Sequence, residues 1–171
     1  MRSSAPLLRA ALHTSAALRA EAAAAAAAPG AGKVLLNLSV PHLAIHKAKP
    51  FGLVTLPGVV GEFGITAGHT PIVAELKSGL VKLFNNQGDA EAVEQYFVSG
   101  GFAALHQNNS ADVTVVECVK LADLDPEAAR KGRSDAKTRM DAATPDSLER
   151  AEAQINYEVY SAMCSALGVA A

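Results

Sequence analysis

The hydrophobic pattern of this chain changes period once, near residue 121, and that change restricts the fold more than any other feature of the sequence. Before it, β-branched and bulky apolar residues come in short runs broken by Gly, Pro, Asn and Asp, the pattern of strands joined by turns. After it, apolar residues recur at intervals of three and four, the pattern of a helix with one buried face. A chain built this way folds as a β-domain followed by a helical one. Most of the bulky core-formers lie between Val34 and Val119, so the first part can bury a core of its own and the flanks cannot.

Within the β-like part, Val34–Val40 reads as a strand that Pro41 ends or bends. Phe51–Leu56 reads as a second, closed by Pro57-Gly58. Ile72–Lys77 and Leu80–Phe84 follow, separated by Ser78-Gly79, and Asn85–Asp89 makes a hairpin turn. Glu91–Val98 alternates, with Val93, Gln95 and Phe97 on one face and Glu94, Tyr96 and Val98 on the other. Phe102–His106 and Asp112–Val119 complete the set, divided by a turn at Asn108–Ser110. Many short strands at roughly this spacing make a sandwich or barrel. The predicted domain covers residues 33–121, with Phe63, Ile65, Val81, Phe97 and Val115 as candidates for its core.

Residues 122–171 are predicted to form two antiparallel helices. Asp125-Pro126 is a start signal, an N-cap acid followed by proline at the first helical position, and the helix runs through Ala142. Thr144-Pro145-Asp146 repeats the signal. Leu148, Ala151, Ile155, Val159, Ala162 and Ala166 then keep helical spacing, with Met163 and Leu167 beside them. Both helices carry mainly small side chains, so the hairpin is expected to lean on the sandwich or on a partner.

Residues 1–32 read differently again. Arg2, Arg9 and Arg19 punctuate leucines and hydroxyl residues, with no acid before Glu21, and an alanine tract runs to Pro29-Gly30. An arginine- and serine-rich, acid-poor amphipathic start is the signature of a mitochondrial transit peptide followed by a low-complexity linker. The whole chain has 15 basic and 17 acidic residues. No basic patch of the kind nucleic-acid binding needs is visible. No uncharged apolar run is long enough to span a bilayer as a helix.

Sites for chemistry are scarce. Ser78-Gly79 and Ser99-Gly100-Gly101 lack the setting of a nucleophile elbow. His42 and His46 would share a strand face but have no third ligand near them. No phosphate-cradling glycine loop is present. Cys118 and Cys164 read as ordinary thiols, and neither a metal nor a cofactor is expected.

The one unusual segment runs from Pro57 to Pro71, where four glycines and two prolines surround Glu62, Phe63, Ile65 and His69. So many backbone-restricting positions fix a rigid, folded loop. It is either a corner between two sheets or a loop that presents its charge and histidine to a partner. Its wording, Gly61-Glu-Phe-Gly-Ile65 with Gly68-His-Thr-Pro71, resembles that of the ATP synthase ε chains of bacteria and chloroplasts and their mitochondrial δ homologues. Leu76-Lys-Ser-Gly-Leu-Val81, Tyr96-Phe-Val-Ser-Gly-Gly-Phe102 and the run from Val113 to Val119 are similar to that family's later strands, and the resemblance spans residues 33–168.

The resemblance implies a β-sandwich followed by a two-helix hairpin, and a non-catalytic part in the central stalk of a rotary ATP synthase. The sandwich would contact the γ shaft and the membrane-embedded ring, with Glu62 toward the ring, His69 toward γ, and Phe63 or Ile65 as apolar contacts. A further small mitochondrial ε subunit would lie against the hairpin. The compartment implied is the matrix side of the mitochondrial inner membrane, with the protein peripheral to the bilayer. An alternative is a regulatory module whose hairpin inhibits ATP hydrolysis. Some bacterial relatives bind ATP through Asp-x-x-Arg-Ala; here Asp125-Pro-Glu-Ala-Ala-Arg130 sets the arginine two residues too late, which argues against nucleotide binding.

Overall fold

A computed structural model of the chain describes residues 32–169, so the predicted targeting segment, apart from Gly32, lies outside the described residues. Ten strands come first: β1 (Val34–Val40), β2 (Leu43–Phe51), β3 (Leu53–Pro57), β4 (Glu62–Ile65), β5 (Ile72–Leu76), β6 (Gly79–Phe84), β7 (Glu94–Val98), β8 (Gly101–Leu105), β9 (Ser110–Val115) and β10 (Cys118–Lys120). A 3-10 turn at Leu121–Asp123 leads to helices α1 (Pro126–Ala142) and α2 (Leu148–Ala166).

The strands form two five-stranded sheets, ordered β2-β1-β9-β8-β5 and β10-β7-β6-β3-β4. β1 runs parallel to β9, and the other pairings are antiparallel. The period-2 pattern explains the layering. On β1, Val34, Leu36, Leu38 and Val40 are buried while the residues between them are only half-buried. Their inward side chains meet Val54 and Leu56 of β3 and Val81 and Leu83 of β6, and Val113 and Val115 complete the same cluster. Interdigitated side chains from two sheets, shielded from water on both sides, are the main stabilising element of such a sandwich. Gly101 is where the packing is tightest: a Cβ there would lie 2.2 Å from the Thr114 carbonyl oxygen, so β8 can approach β9 only with glycine at that position.

Three sequence-based expectations need correction. Phe51–Leu56 is not the second strand: the extended stretch around His46 forms β2, a nine-residue edge strand whose side chains are mostly exposed and which ends at Phe51. It shows no alternation because it contributes little to the core, and its Pro50 is tolerated because an edge strand can lack an N–H on its open side. The single run Asp112–Val119 is two strands in different sheets. The chain crosses the sandwich at Val116-Glu117, held there by Val116 N–H to Gly100 O (3.2 Å) and Glu117 N–H to Ser99 Oγ (3.2 Å). Phe97 is buried, but it lies on the face of β7 opposite Tyr96 and Val98, and it is these two that join the core cluster. Val81, Ile65 and Val115 are core residues as expected, and Phe63 packs half-buried against the cluster.

The first helix begins where the sequence indicates, and the second begins three residues after the Thr144-Pro145 signal. The Asp125 carboxylate accepts a hydrogen bond from Glu127 N–H (2.9 Å), with Pro126 at the first helical position. The second cap is Ser147, whose Oγ accepts from Arg150 N–H (3.2 Å), one residue after Asp146 turns the chain in a left-handed conformation (φ 62°). The helices pack on each other through Ala129, Ala136, Ala153 and Cys164. A Cβ on Gly132 would fall 2.5 Å from the Tyr160 ring, so the axes approach closely. The stripe that the sequence singled out points elsewhere: Leu148 is 75% and Ile155 62% exposed. Close helix approach selects the smallest side chains for the seam, which leaves the bulkier ones outside. The far end of α2 is the part of the hairpin that touches β6 of the second sheet.

Candidate partner-binding surface

The glycine-rich segment is part hairpin and part crossing. β3 ends at Pro57, and Gly58–Gly61 turn the chain, with Gly61 N–H donating to Gly58 O at 3.1 Å. Glu62–Ile65 then return as β4, the outermost strand of the second sheet, in register with Val54–Pro57. The segment expected to be wholly a loop thus contains the end of β3 and all of β4. Residues 66–71 carry the chain across to β5 in the first sheet, which makes this stretch the corner between sheets. Gly68 sits at φ 81°, a conformation glycine adopts without steric cost, and its N–H donates to Asn109 Oδ1 at 2.7 Å. A second hydrogen bond, His69 N–H to Thr66 O (3.3 Å), closes the turn.

The four residues singled out from sequence are treated differently by this geometry. Glu62, at the start of β4, is exposed, and its carboxylate accepts a hydrogen bond from Lys82 Nζ of β6 at 3.1 Å. Phe63 is half-buried against Gly58 and the core. Ile65 is 1% exposed. A side chain already enclosed by its own domain has no area to offer a partner, so Ile65 is a core residue and not a contact point. His69, past the other end of β4, is exposed, with Nδ1 2.8 Å from Thr70 O. Glu62 and His69 therefore lie at opposite ends of one short, well-braced strand.

Several residues at this surface escaped the sequence reading. Val59 and Val60, at the tip of the β3–β4 turn, are exposed, Val60 completely. With Phe63, Ile72 and Val73 they line a groove of about 630 Å³. Two adjacent valines in a glycine-bounded turn belong to neither a strand face nor a core, and that mismatch was the available signal. Phe102 of β8 also stands exposed, because nothing in the described chain covers the outer face of the first sheet at that point. Asn109 and Lys82, which brace Gly68 and Glu62, carry no sequence signal of that role, since each acts across more than a dozen residues.

One polar cluster lies away from this surface. His46 Nε2 is 2.9 Å from Glu94 Oε2, and Glu94 also receives hydrogen bonds from Tyr96 Oη (2.8 Å) and Lys49 Nζ. The cluster ties the edge of the first sheet to β7 of the second. Burial holds the His46 imidazole below its ordinary pKa, partly offset by the Glu94 charge. Burial pulls Glu94 upward, but the hydrogen bonds from Lys49 and Tyr96 and the His46 charge outweigh it and leave the carboxyl below its usual range. Burial and the bond to Glu94 push the Tyr96 hydroxyl up, and burial pushes the Cys118 thiol up to about 11. These groups are satisfied by one another and form no nucleophile–base pair aimed at a cavity. His42 lies in the turn before β2 and not beside His46 on a strand. Among the described residues, no group of three His, Cys, Asp or Glu side chains could hold a metal ion. No helix among them is long and apolar enough to cross a membrane.

Comparison with known proteins bears on this surface and on the whole described body. Residues 45–119 match the family described as ATP synthase, Delta/Epsilon chain, beta-sandwich domain. Over 135 residues, 79% of this chain, the sequence is 36% identical to the mitochondrial ATP synthase subunit delta of Agaricus bisporus, covering 80% of that protein. It is equally identical over the same length to the mitochondrial subunit delta' of Ipomoea batatas, of which it spans 65%. Among solved structures, a chain of the Euglena gracilis mitochondrial ATP synthase, in a complex of OSCP, F1 and c-ring, superimposes with a TM-score of 0.71 at 29% identity, over 79% of this chain and 81% of that one. A chain from the central stalk and c-ring of the Tetrahymena thermophila enzyme shares the fold, with a TM-score of 0.56 at 15% identity.

Proposed function

Because the chain belongs to the family of ATP synthase delta/epsilon chains, we propose that it serves as a non-catalytic central-stalk subunit of a mitochondrial ATP synthase, coupling rotation of the membrane ring to the γ shaft. The observation that carries this reading is the agreement of the described body, sandwich and hairpin together, with a chain of an assembled mitochondrial synthase. The physical design suits the role. A part that passes torque has to be stiff and gripped on two sides, since a single tether transmits no rotation. Here a two-sheet core supplies the stiffness, and the hydrogen-bonded corner at Gly58–His69 presents apolar and charged groups without a floppy loop.

In this reading the ring lies toward Glu62 and the shaft toward His69, the two ends of β4. Stable contacts of this kind bury on the order of 1,000 Å² or more, with apolar centres and polar rims. Val59, Val60 and Phe63 supply apolar area next to Glu62, in place of the buried Ile65. A small ε subunit against the hairpin would find the exposed Leu148 and Ile155. The subunit works on the matrix side of the inner membrane after losing about the first 30 residues, as transit peptides do.

Co-purification with the synthase tests the assignment, and cysteine cross-linking tests the geometry. Glu62→Cys is expected to link to the ring and His69→Cys to γ. Both variants linking to one neighbour, or neither linking at all, would overturn the two-ended arrangement. Failure of the chain to co-purify with the synthase would overturn the rotor assignment.

A further inference from the structure

The edge strand β2 is weakly held. Of its nine residues only Phe51, at its end, is buried, and Ile45 packs partly against the core. Its pairing with β1 shifts register on either side of Leu38. Ala48 sits in the left-handed region (φ 47°), which is strained for a residue with a Cβ, and its N–H donates to a side chain, Asn37 Oδ1 (2.7 Å). The middle of β2 is fastened to the second sheet by side chains: His46 and Lys49 reach Glu94 and Tyr96 of β7.

These side chains converge on one carboxylate. Glu94 Oε2 accepts from Tyr96 Oη (2.8 Å) and lies 2.9 Å from His46 Nε2, while Oε1 accepts from Lys49 Nζ. The imidazole is enclosed, its side chain 9% exposed, with the ring centroids of Phe51 and Tyr96 each 5.7 Å away. For the neutral ring one proton suffices: Nε2–H donates to Glu94. A second proton has to go on Nδ1, which meets no acceptor among the described residues. It also brings a third cation to a single carboxylate, since Lys49 already neutralises Glu94 and Lys120 of β10 adds its field. Cys118 of β10, the other titratable group near Tyr96, stays a neutral thiol. The lowered pKa of His46, caused first by burial, agrees with this geometry. Water has access, because a groove of about 430 Å³ lined by Val93, Glu94, Tyr96 and Lys120 opens beside the cluster.

We propose that His46 is a proton-operated latch: neutral, it clamps the middle of β2 to β7 through Glu94, and protonated, it leaves the clamp and frees residues 44–49 of this edge. In water an imidazolium is solvated at both nitrogens, and β2 gives up little buried apolar area on leaving. The inference does not rest on the rotor reading. Where that reading holds, the latch ties the stiffness of the stalk subunit to the pH of its compartment.

Amide exchange and histidine NMR on the unaltered chain test the latch. Ala48 is the reporter, and its protection is compared with that of β6 in the core. At pH 5 the Ala48 amide is expected to exchange at least about 100-fold faster, relative to its intrinsic rate, than the β6 amides, because β2 opens alone. From pH 7 to pH 5 its protection is expected to fall by about 3- to 25-fold, the upper figure being the most that one imidazole released to a solvent pKa near 6.5 can contribute. The fall should follow the titration of the His46 ring resonances. His46→Gln keeps a donor for Glu94 but takes no charge, and should abolish the fall. Lys49→Met leaves Glu94 to the protonated ring and should shrink it. The proposal is overturned if Ala48 keeps its protection while the His46 ring titrates, or if Ala48 exchanges only together with β6. It is also overturned if His46→Gln loses protection over the same range as the parent.

Discussion

Replacing Gly132 with alanine sets two effects of known sign against each other. In an isolated helix the change is favourable by about 1 kcal/mol, because glycine gives up the most backbone freedom. In this hairpin the new methyl carbon would lie 2.5 Å from both Cε1 and Cζ of Tyr160 and 2.8 Å from Cδ1. Carbon atoms rest at about 3.5–4.0 Å, so ring and methyl must separate by roughly 1 Å. The ring can turn outward or the helices can part, and insertions of this kind cost about 1–3 kcal/mol. The clash therefore wins or draws, and the single variant is expected to be destabilised by about 0–2 kcal/mol. With Tyr160→Ala as background the clash vanishes, and Gly132→Ala should become stabilising by up to about 1 kcal/mol. The coupling between the two sites is then the overpacking cost itself, about 1–3 kcal/mol. Sandwich and hairpin share little interface, so amide exchange of α1 around Ala136 is the suitable measure and global melting is not. If Gly132→Ala has the same effect in both backgrounds, the close approach of the helices at Gly132 is wrong.

Gly101→Ala should destabilise the sandwich by about 2–3 kcal/mol in chemical denaturation, since its methyl would meet the Thr114 backbone oxygen, which no rotamer change can move. A chain ending at Ala122 should still melt cooperatively, because the core cluster draws only on strand residues and the hairpin meets the sandwich chiefly at β6; a broad, non-cooperative transition would refute this. Asn109→Ala removes the acceptor for Gly68 N–H, and amide exchange at residues 68–69 should accelerate by about tenfold while the core is unaffected. The folded-state pKa of His46 lies below its unfolded value of 6.5, so folding favours the neutral ring. Its contribution is complete above pH 6.5 and is lost as pH falls below that value, and His46→Gln should flatten the stability profile between pH 7 and 5.

The sequence by itself determined the order of the two parts, the position of the switch near residue 121, most strand locations, the start of the first helix and the backbone-restricted segment at Pro57–Pro71. Each of these follows from local rules: the side-chain period, the φ limits of glycine and proline, and the capping chemistry of Asp125. What it left open was which side of each element would be covered. The alternation of β7 was legible, but both of its faces carry an aromatic ring, and only the position of the facing first sheet makes Tyr96 the core residue. The helical stripe through Leu148 and Ile155 was regular, yet the helix seam chose Ala153 and Cys164, because the separation of the helix axes, and not hydrophobicity, decides which side chains fit. The bounds of β2 were not legible, since a mostly exposed edge strand leaves little period to read. The partner surface divides in the same way. Glu62 and His69 could be marked from the glycine pattern around them, whereas the burial of Ile65 and the bracing by Lys82 and Asn109 exist only once distant strands are set side by side.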